Sequence, residues 1–298
     1  MTDAERQAEL VRMRVQLATT FTPSGPVRAR ELFAGRIDQV SRALTAVSQV
    51  GQHVILYGER GVGKTSLARL IDEFWNDVSK DHGGLIPILY NCDPKDTYGS
   101  MWSNLAEMMR DEVEKRGHVI PATESWNDVY SEIRSGGASP HAVRRLLDLA
   151  DTAFIIVIDE FDQVSEEETV RQFAATIKTL SDHLANTTLV LVGVADTIDE
   201  LIADHASIDR NLAQIVMPRM STGELVSIIE LGYSRLGLAA SAEVLDVMGR
   251  LAQGLPHYAH RFGQEAGYSA VDRGSDAIER IDVNEAVRQA VELTHESI

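Results

Sequence analysis

Two short stretches hold the residues whose types and spacing could do chemistry. From His53 to Ser66 the chain reads His-Val-Ile-Leu-Tyr-Gly-Glu-Arg-Gly-Val-Gly-Lys-Thr-Ser, and Gly58, Gly63, Lys64 and Thr65 satisfy G-x-x-x-x-G-K-[ST]. Glycines at 58, 61 and 63 permit a tight loop and keep side chains out of its path. Such a loop, opening a helix, aims backbone N–H groups and the positive end of the helix dipole at one point, which suits a polyphosphate. The predicted cradle is Glu59, Arg60, Gly61, Val62, Gly63, Lys64, Thr65 and Ser66, with Lys64 on the β- and γ-phosphates of ATP or ADP and the Thr65 hydroxyl on Mg²⁺. The second stretch is Phe154-Ile-Ile-Val-Ile-Asp-Glu-Phe-Asp162. Its apolar run ends in two carboxylates. Asp159 would hold Mg²⁺ through water and Glu160 would polarise an attacking water; the alternative is that Asp159, Glu160 and Asp162 only cap the next helix, Asp162 being the first candidate for that role.

Strands and helices must place these groups. Val54–Tyr57 is short, apolar and β-rich, and Lys64–Trp75 has helical spacing. The β-branched run before Asp159 reads as a strand buried on both faces, as in a parallel sheet whose ligands sit at the carboxyl ends of its strands. Leu85–Cys92, Thr188–Asp196 and Asn211–Met217 complete five strand candidates. Residues 117 to 140 hold Pro121, Trp126 and Ser135-Gly-Gly-Ala-Ser-Pro140, and that density of breakers predicts an insertion with a mobile loop. From Ser221 the pattern is helix after helix, with Gly237, Gly254 and Gly274 as stop signals. Residues 1 to 25 read as an N-terminal arm or a packed first helix, 26–219 as the α/β domain and 220–298 as a helical lid.

With 28 basic and 45 acidic residues the net charge is −17, which works against an unaided grip on nucleic acid or anionic lipid. Cys92 is the only cysteine, so an intrachain disulfide and a cysteine-rich zinc module are excluded. The histidines lack metal-ligand spacing. No apolar run approaches a membrane span, and the N-terminus lacks signal-peptide order, so the expectation is a cytoplasmic protein.

The order of phosphate loop, Asp-Glu strand, polar-ended strand and helical lid resembles the AAA+ ATPases, above all the branch of origin-recognition initiators; residues 26 to 272 carry the likeness. The resemblance implies a three-layer α/β/α fold with a parallel five-stranded sheet and a small α-helical lid. It implies that Leu32-Phe-Ala-Gly-Arg36 flanks adenine, which makes Phe33, Gly35 and Arg36 candidates for the nucleotide site. Asp196 falls at the sensor 1 position, usually an asparagine. Arg210 falls at the arginine-finger position, with a surface ion pair to Asp204 or Asp209 as the competing explanation. Gly254-Leu-Pro-His-Tyr258 departs from the initiators: His257 stands where they carry the sensor 2 arginine, and the stretch looks more like the Gly-x-Pro motif of STAND signalling ATPases, with Pro256 near adenine. Arg261, one turn on, is a sensor charge or a solvated helix face. The initiators' winged-helix DNA-binding domain has no counterpart in the roughly 25 residues after Asp272.

The function implied is ATP hydrolysis, with Glu160, Lys64, Asp196 and Arg210 as catalytic candidates. It would drive homo-oligomer assembly or a conformational switch on a protein partner. The rivals are a slowly hydrolysing signalling scaffold that recruits an effector, and a DNA-associated loader, with nucleic acid the less favoured partner and no membrane.

Overall fold

The computed structural model describes residues 3–25, 35–78, 85–116, 124–150, 152–183, 185–194 and 209–295. The chain divides into two units. The sheet unit holds Ile37–Glu59 and Leu67–Met217, and the helical unit holds Met1–Arg36, Arg60–Ser66 and Pro218–Ile298.

Each of the five apolar runs becomes a strand: β1 (His53–Tyr57), β2 (Ile86–Asn91), β3 (Phe154–Asp159), β4 (Thr187–Gly193) and β5 (Leu212–Val216). They form one sheet in the order β2-β3-β4-β1-β5, parallel at every pairing. Parallel neighbours need crossover connections, and α2 (Ile37–Val47), α3 (Lys64–Val78), α4 (Tyr98–Lys115), α5 (Glu124–Glu132), α6 (Pro140–Leu149) and α7 (Glu167–Asp182) lie along the same stretch of chain. Every residue of β3 and β4 is buried, as central parallel strands covered on both faces require. The register sets Tyr57 opposite Gly193 and Val216, and Asn91 opposite Asp159, so the strands finish along one edge. Beneath that edge Trp102 of α4 stacks on Phe173 of α7 with ring centroids 6.1 Å apart. His53 ties β1 to β4: its Nδ1 accepts the Leu189 N–H at 3.0 Å, and burial pulls its pKa down to about 4, keeping the imidazole neutral.

The insertion expected over residues 117–140 takes a different form where it is described. Residues 124 to 137 are α5 followed by a π turn (Ile133–Gly137), and Trp126, Val129 and Ile133 are buried in the core of the sheet unit. The apparent breakers are helix punctuation. Gly136 takes a left-handed φ of 95°, Ser139 caps α6 by accepting the Ala142 N–H at 3.2 Å, and Pro140 opens that helix.

The helical unit has its own core, formed by α1 (Asp3–Thr20), α8 (Thr222–Leu236), α9 (Ala242–Leu251), α10 (Pro256–Asp272) and α11 (Arg280–His295). Two parallel two-residue strands, β6 (Ala239–Ala240) and β7 (Ala277–Ile278), pin the connections. The N-terminal segment is the packed first helix. Leu17 and Phe21 are 0% and 1% exposed, and their side chains fill a seat made by three glycines. A Cβ at Gly232 or Gly263 would lie 2.3 or 2.6 Å from the Phe21 ring, and one at Gly267 would lie 2.5 Å from Leu17 Cδ2. Arg14 donates to both oxygens of Asp272 at 2.8 Å and lies over the Tyr268 ring, and Gln264 Nε2 donates to the Phe21 carbonyl at 2.9 Å.

Candidate nucleotide site

The phosphate loop leaves the sheet where β1 ends. At Gly58 (φ 153°) a Cβ would meet the Met217 carbonyl oxygen at 2.3 Å, so only glycine lets the chain pass. Gly61 (φ 82°) and Gly63 (φ 96°) take the left-handed region that glycine adopts freely. The turn they make delivers the chain into α3 at Lys64, so Lys64, Thr65 and Ser66 occupy the first turn of a 15-residue helix, at its positive end. Val62 is 1% exposed and acts as the loop's apolar peg, whereas Glu59 and Arg60 are exposed.

Asp159 is the last residue of β3, 3% exposed, and its Oδ1 accepts the Glu160 N–H at 2.9 Å. Glu160 itself is exposed and left-handed (φ 56°, ψ 37°), a conformation that costs a non-glycine residue roughly 1–2 kcal/mol. The chain turns sharply there, directly after the last residue of β3. The capping alternative does not hold for Asp162 at α7. The N-cap of α7 is Glu166, and Asp162 sits in a 3-10 turn (Phe161–Gln163) with its Oδ1 3.5 Å from where a Gly193 Cβ would stand, at the end of β4.

In the helical unit, Gly35 and Arg36 lie at the start of α8. A Cβ at Gly35 would come within 2.9 Å of the Glu224 carboxylate. Arg36 is left-handed (φ 62°) and 5% exposed, and its Nη2 donates to the carbonyls of Val62, at 3.1 Å, and Pro218. Burial pulls its pKa down, and Glu224 offsets part of that effect. Pro256 opens α10, its Cγ 3.8 Å from a Cβ placed on Gly63. His257 faces Gly61: its Nδ1 is buried, has no hydrogen-bond partner among the described residues, and would lie 2.7 Å from a Cβ there. His260 is engaged elsewhere. The His260 Nδ1 accepts the Thr22 N–H at 3.3 Å, and burial, then the charge of His257, lowers its pKa to about 4. Arg261 is half-buried, with its Nε enclosed and without a partner among the described residues, which a solvated helix face would not give.

Arg210 is exposed in a 3-10 turn (Asp209–Asn211) ahead of β5, with its carbonyl held by Gln52 Nε2 at 2.9 Å. Asp209 accepts from Gln214 Nε2 at 2.7 Å, and no carboxylate of a described residue pairs with Arg210. Phe33, Asp196 and Asp204 lie outside the described residues. The sequence gives no sign of one feature shared by three segments. Among the described residues the non-glycines with positive φ are Arg36, Glu160 and Gln253, and each lies in, or one residue from, a stretch assigned to the nucleotide.

These residues fit the groups the loop implies. Gly61 and Gly63 bring no side chain of their own to the loop, and the oxygens of Thr65 and of Asp159 are each hard donors of the kind Mg²⁺ takes alongside phosphates and water. Among the described residues no cluster of three or more His, Cys, Asp or Glu forms a separate metal centre.

The family model described as Novel STAND NTPase 1 matches residues 26–260. The chain belongs to that family. It is a P-loop NTPase of the AAA+ kind, and the origin-recognition likeness also holds. An ORC1-type DNA replication protein of Pyrococcus abyssi is 24% identical over 153 residues, half of this chain and 32% of that protein. One from Methanospirillum hungatei is 27% identical over 138 residues, 43% of this chain and 30% of its own length. The chain thus aligns with about a third of these curated relatives. Among solved structures, a Walker-type ATPase of Pyrococcus abyssi superposes with a TM-score of 0.64 at 17% identity, covering 92% of this chain and 76% of that one. The Aeropyrum pernix ORC1 protein in complex with DNA gives 0.60 at 18% identity, covering 92% and 69%. At those identities the superpositions establish the fold. No described helix of this STAND NTPase is long and apolar enough to cross a membrane.

Proposed function

We propose that the protein is an ATP-driven switch. It binds ATP with Mg²⁺, hydrolyses it slowly, and uses the nucleotide state to set its assembly with further copies of itself and its hold on a protein partner. The observation that carries this reading is Glu160, kept exposed and left-handed immediately after the buried Asp159. Backbone strain of this kind persists where the surroundings enforce it, and a carboxylate so placed can orient and polarise water. Lys64 binds the phosphates, Thr65 and Asp159 hold the metal, and Arg210 of a neighbouring copy meets the charge that develops on the γ-phosphate. Mg²⁺, when bound, neutralises phosphate charge. Phe33, Gly35, Pro256 and His257 belong to the nucleotide side of this reading, and Asp196 to the orientation of water.

The STAND family match supports a slow switch over a continuously cycling motor. A DNA-associated role draws support from the curated relatives, which are DNA replication proteins. The net charge of −17 weighs against it, because a field of that sign repels phosphate backbones.

Glu160→Gln tests the reading. It keeps the side chain's size and removes the carboxylate, so ATP binding should survive while turnover falls by roughly 10²–10⁴-fold. Measured by phosphate release and by nucleotide titration, wild-type turnover in this variant would sink the assignment.

A further inference from the structure

Arg36 makes contacts that nucleotide binding alone does not explain. Arg36 is 5% exposed, and one nitrogen of its guanidinium, Nη2, spends both of its hydrogens on main-chain carbonyls. One carbonyl belongs to Val62, in the middle of the phosphate loop. The other belongs to Pro218, three residues before the N-cap of α8. The Arg36 N–H faces Glu224 Oε1 at 3.4 Å, and the other oxygen of that carboxylate accepts the Ser221 N–H and hydroxyl at 2.8 Å, closing the capping box of α8. Between these points Met220 N donates to the Gly254 carbonyl at 2.8 Å, just ahead of Leu255-Pro256-His257. A single buried side chain therefore touches the phosphate loop, the linker into the first lid helix and, through its own backbone, the cap of that helix.

The peptide geometry gives these contacts a consequence. In a trans peptide the C=O of Val62 and the N–H of Gly63 point in opposite directions. Holding the Val62 carbonyl on Arg36 turns the Gly63 N–H away from the guanidinium, so that a phosphate on the loop can accept it. The left-handed backbone at Arg36, and the glycine before it with room only for a hydrogen beside Glu224, are the local distortions that bring the side chain to this place.

We infer that Arg36 is a positioning residue that sets the orientation of the Val62–Gly63 peptide and transmits it, through Pro218 and Glu224, to the first turn of α8. Phosphate on the loop shifts that peptide, the guanidinium follows its acceptor, and the start of the lid helix responds. The inference rests on reading the loop as a nucleotide site. It adds that the lid senses the loop through this residue, without requiring that Arg36 touch the nucleotide.

The experiment compares wild type, Arg36→Met, Arg36→Lys and Lys64→Ala by nucleotide titration and by amide hydrogen exchange over Ser221–Leu225, with and without ATP and Mg²⁺. Wild type should gain protection there when ATP binds. Arg36→Met keeps the aliphatic stem but no donor. It should weaken ATP binding roughly tenfold, as loss of a charge-assisted hydrogen bond does, and should show no ATP-dependent protection even at saturating nucleotide. Arg36→Lys keeps charge and donors on a different geometry and should restore part of both. A purely packing role would make Met and Lys equivalent, and ATP-dependent protection of wild-type size in Arg36→Met overturns the inference. Wild type that binds ATP through Lys64 without any change over Ser221–Leu225 also overturns it, and leaves the nucleotide site standing. ATP binding unchanged in Lys64→Ala removes the site reading, and the inference goes with it.

Discussion

At the scale of single residues, the deciding observation is a backbone angle. Glu160 pays about 1–2 kcal/mol to stand in the left-handed region, and glycine would stand there without that cost. Comparing Glu160→Gly with Glu160→Ala isolates the effect, because both remove the carboxylate. At an ordinary position the glycine variant would be the less stable by about 0.5–1 kcal/mol, through its greater freedom when unfolded. Here the order should reverse, with Glu160→Gly the more stable by about 1 kcal/mol in urea unfolding. The usual order would mean that Glu160 is unstrained and that function does not hold it in place. The types of residue at the site were legible in the sequence. Lys64, Thr65, Asp159 and Glu160 announce themselves by spacing, since a cradle and a strand end fix where such groups must fall. The conformations were not legible: nothing in the letters distinguishes Glu160 or Gln253 from a neighbour in the ordinary region. Nor could spacing show that Arg36 reaches main-chain carbonyls, because its acceptors at 62 and 218 are far along the chain.

At the scale of elements, the five strands and the lid helices follow from apolar runs and from glycine stops, and they begin and end within a few residues of where the sequence puts them. The exceptions have separate causes. Ser135-Gly-Gly-Ala-Ser-Pro140 reads as a loop if its residues are counted as breakers, yet they serve as a left-handed stop, an N-cap and a first-turn proline between two packed helices. The two-residue strands β6 and β7 are too short to leave a pattern. The packing of α1 is written in glycines as much as in apolar residues. Gly232, Gly263 and Gly267 sit inside helices, where glycine costs about 1 kcal/mol against alanine, and the seat they leave for Phe21 and Leu17 accounts for that. In wild type, Gly263→Ala should destabilise by about 1–3 kcal/mol, because the Phe21 ring is enclosed by Tyr233 and His260 and has no room to yield. In a Phe21→Ala background the clash is gone and only helix propensity remains, so the same change should stabilise by up to about 1 kcal/mol. Melting curves of the four proteins decide it. An equal loss in both backgrounds would show that the seat is not what keeps residue 263 a glycine.

At the scale of the whole molecule, the candidate residues are distributed over both units. Residues 60–66, with Arg36, Pro256 and His257, belong to the helical unit, while Asp159, Glu160 and Arg210 belong to the sheet unit. Arg210 differs from the rest. Its turn is fixed by Gln52 on the backbone and by Gln214 on Asp209, its side chain is exposed, and among the described residues it forms no ion pair with Asp209, while Asp204 lies outside them. A cation held out on a braced turn suits a pocket on another copy, and a heterologous interface would pair one copy's pocket with its neighbour's arginine. On that reading Arg210→Ala and Lys64→Ala proteins should each lose roughly 10³-fold or more in turnover, the scale of an arginine finger, for opposite reasons. One keeps an intact pocket without a finger, the other a finger without a pocket. Mixed in equal amounts and assembling at random, about one interface in four would join the surviving pocket to the surviving finger. ATPase activity should therefore rise from near zero to roughly a quarter of the wild-type value, and the gain should follow the product of the two fractions as the ratio is varied. Light scattering on the same mixtures reports whether mixed assemblies form. If they form and activity stays at the level of the separate variants, Arg210 acts within its own chain or not at all.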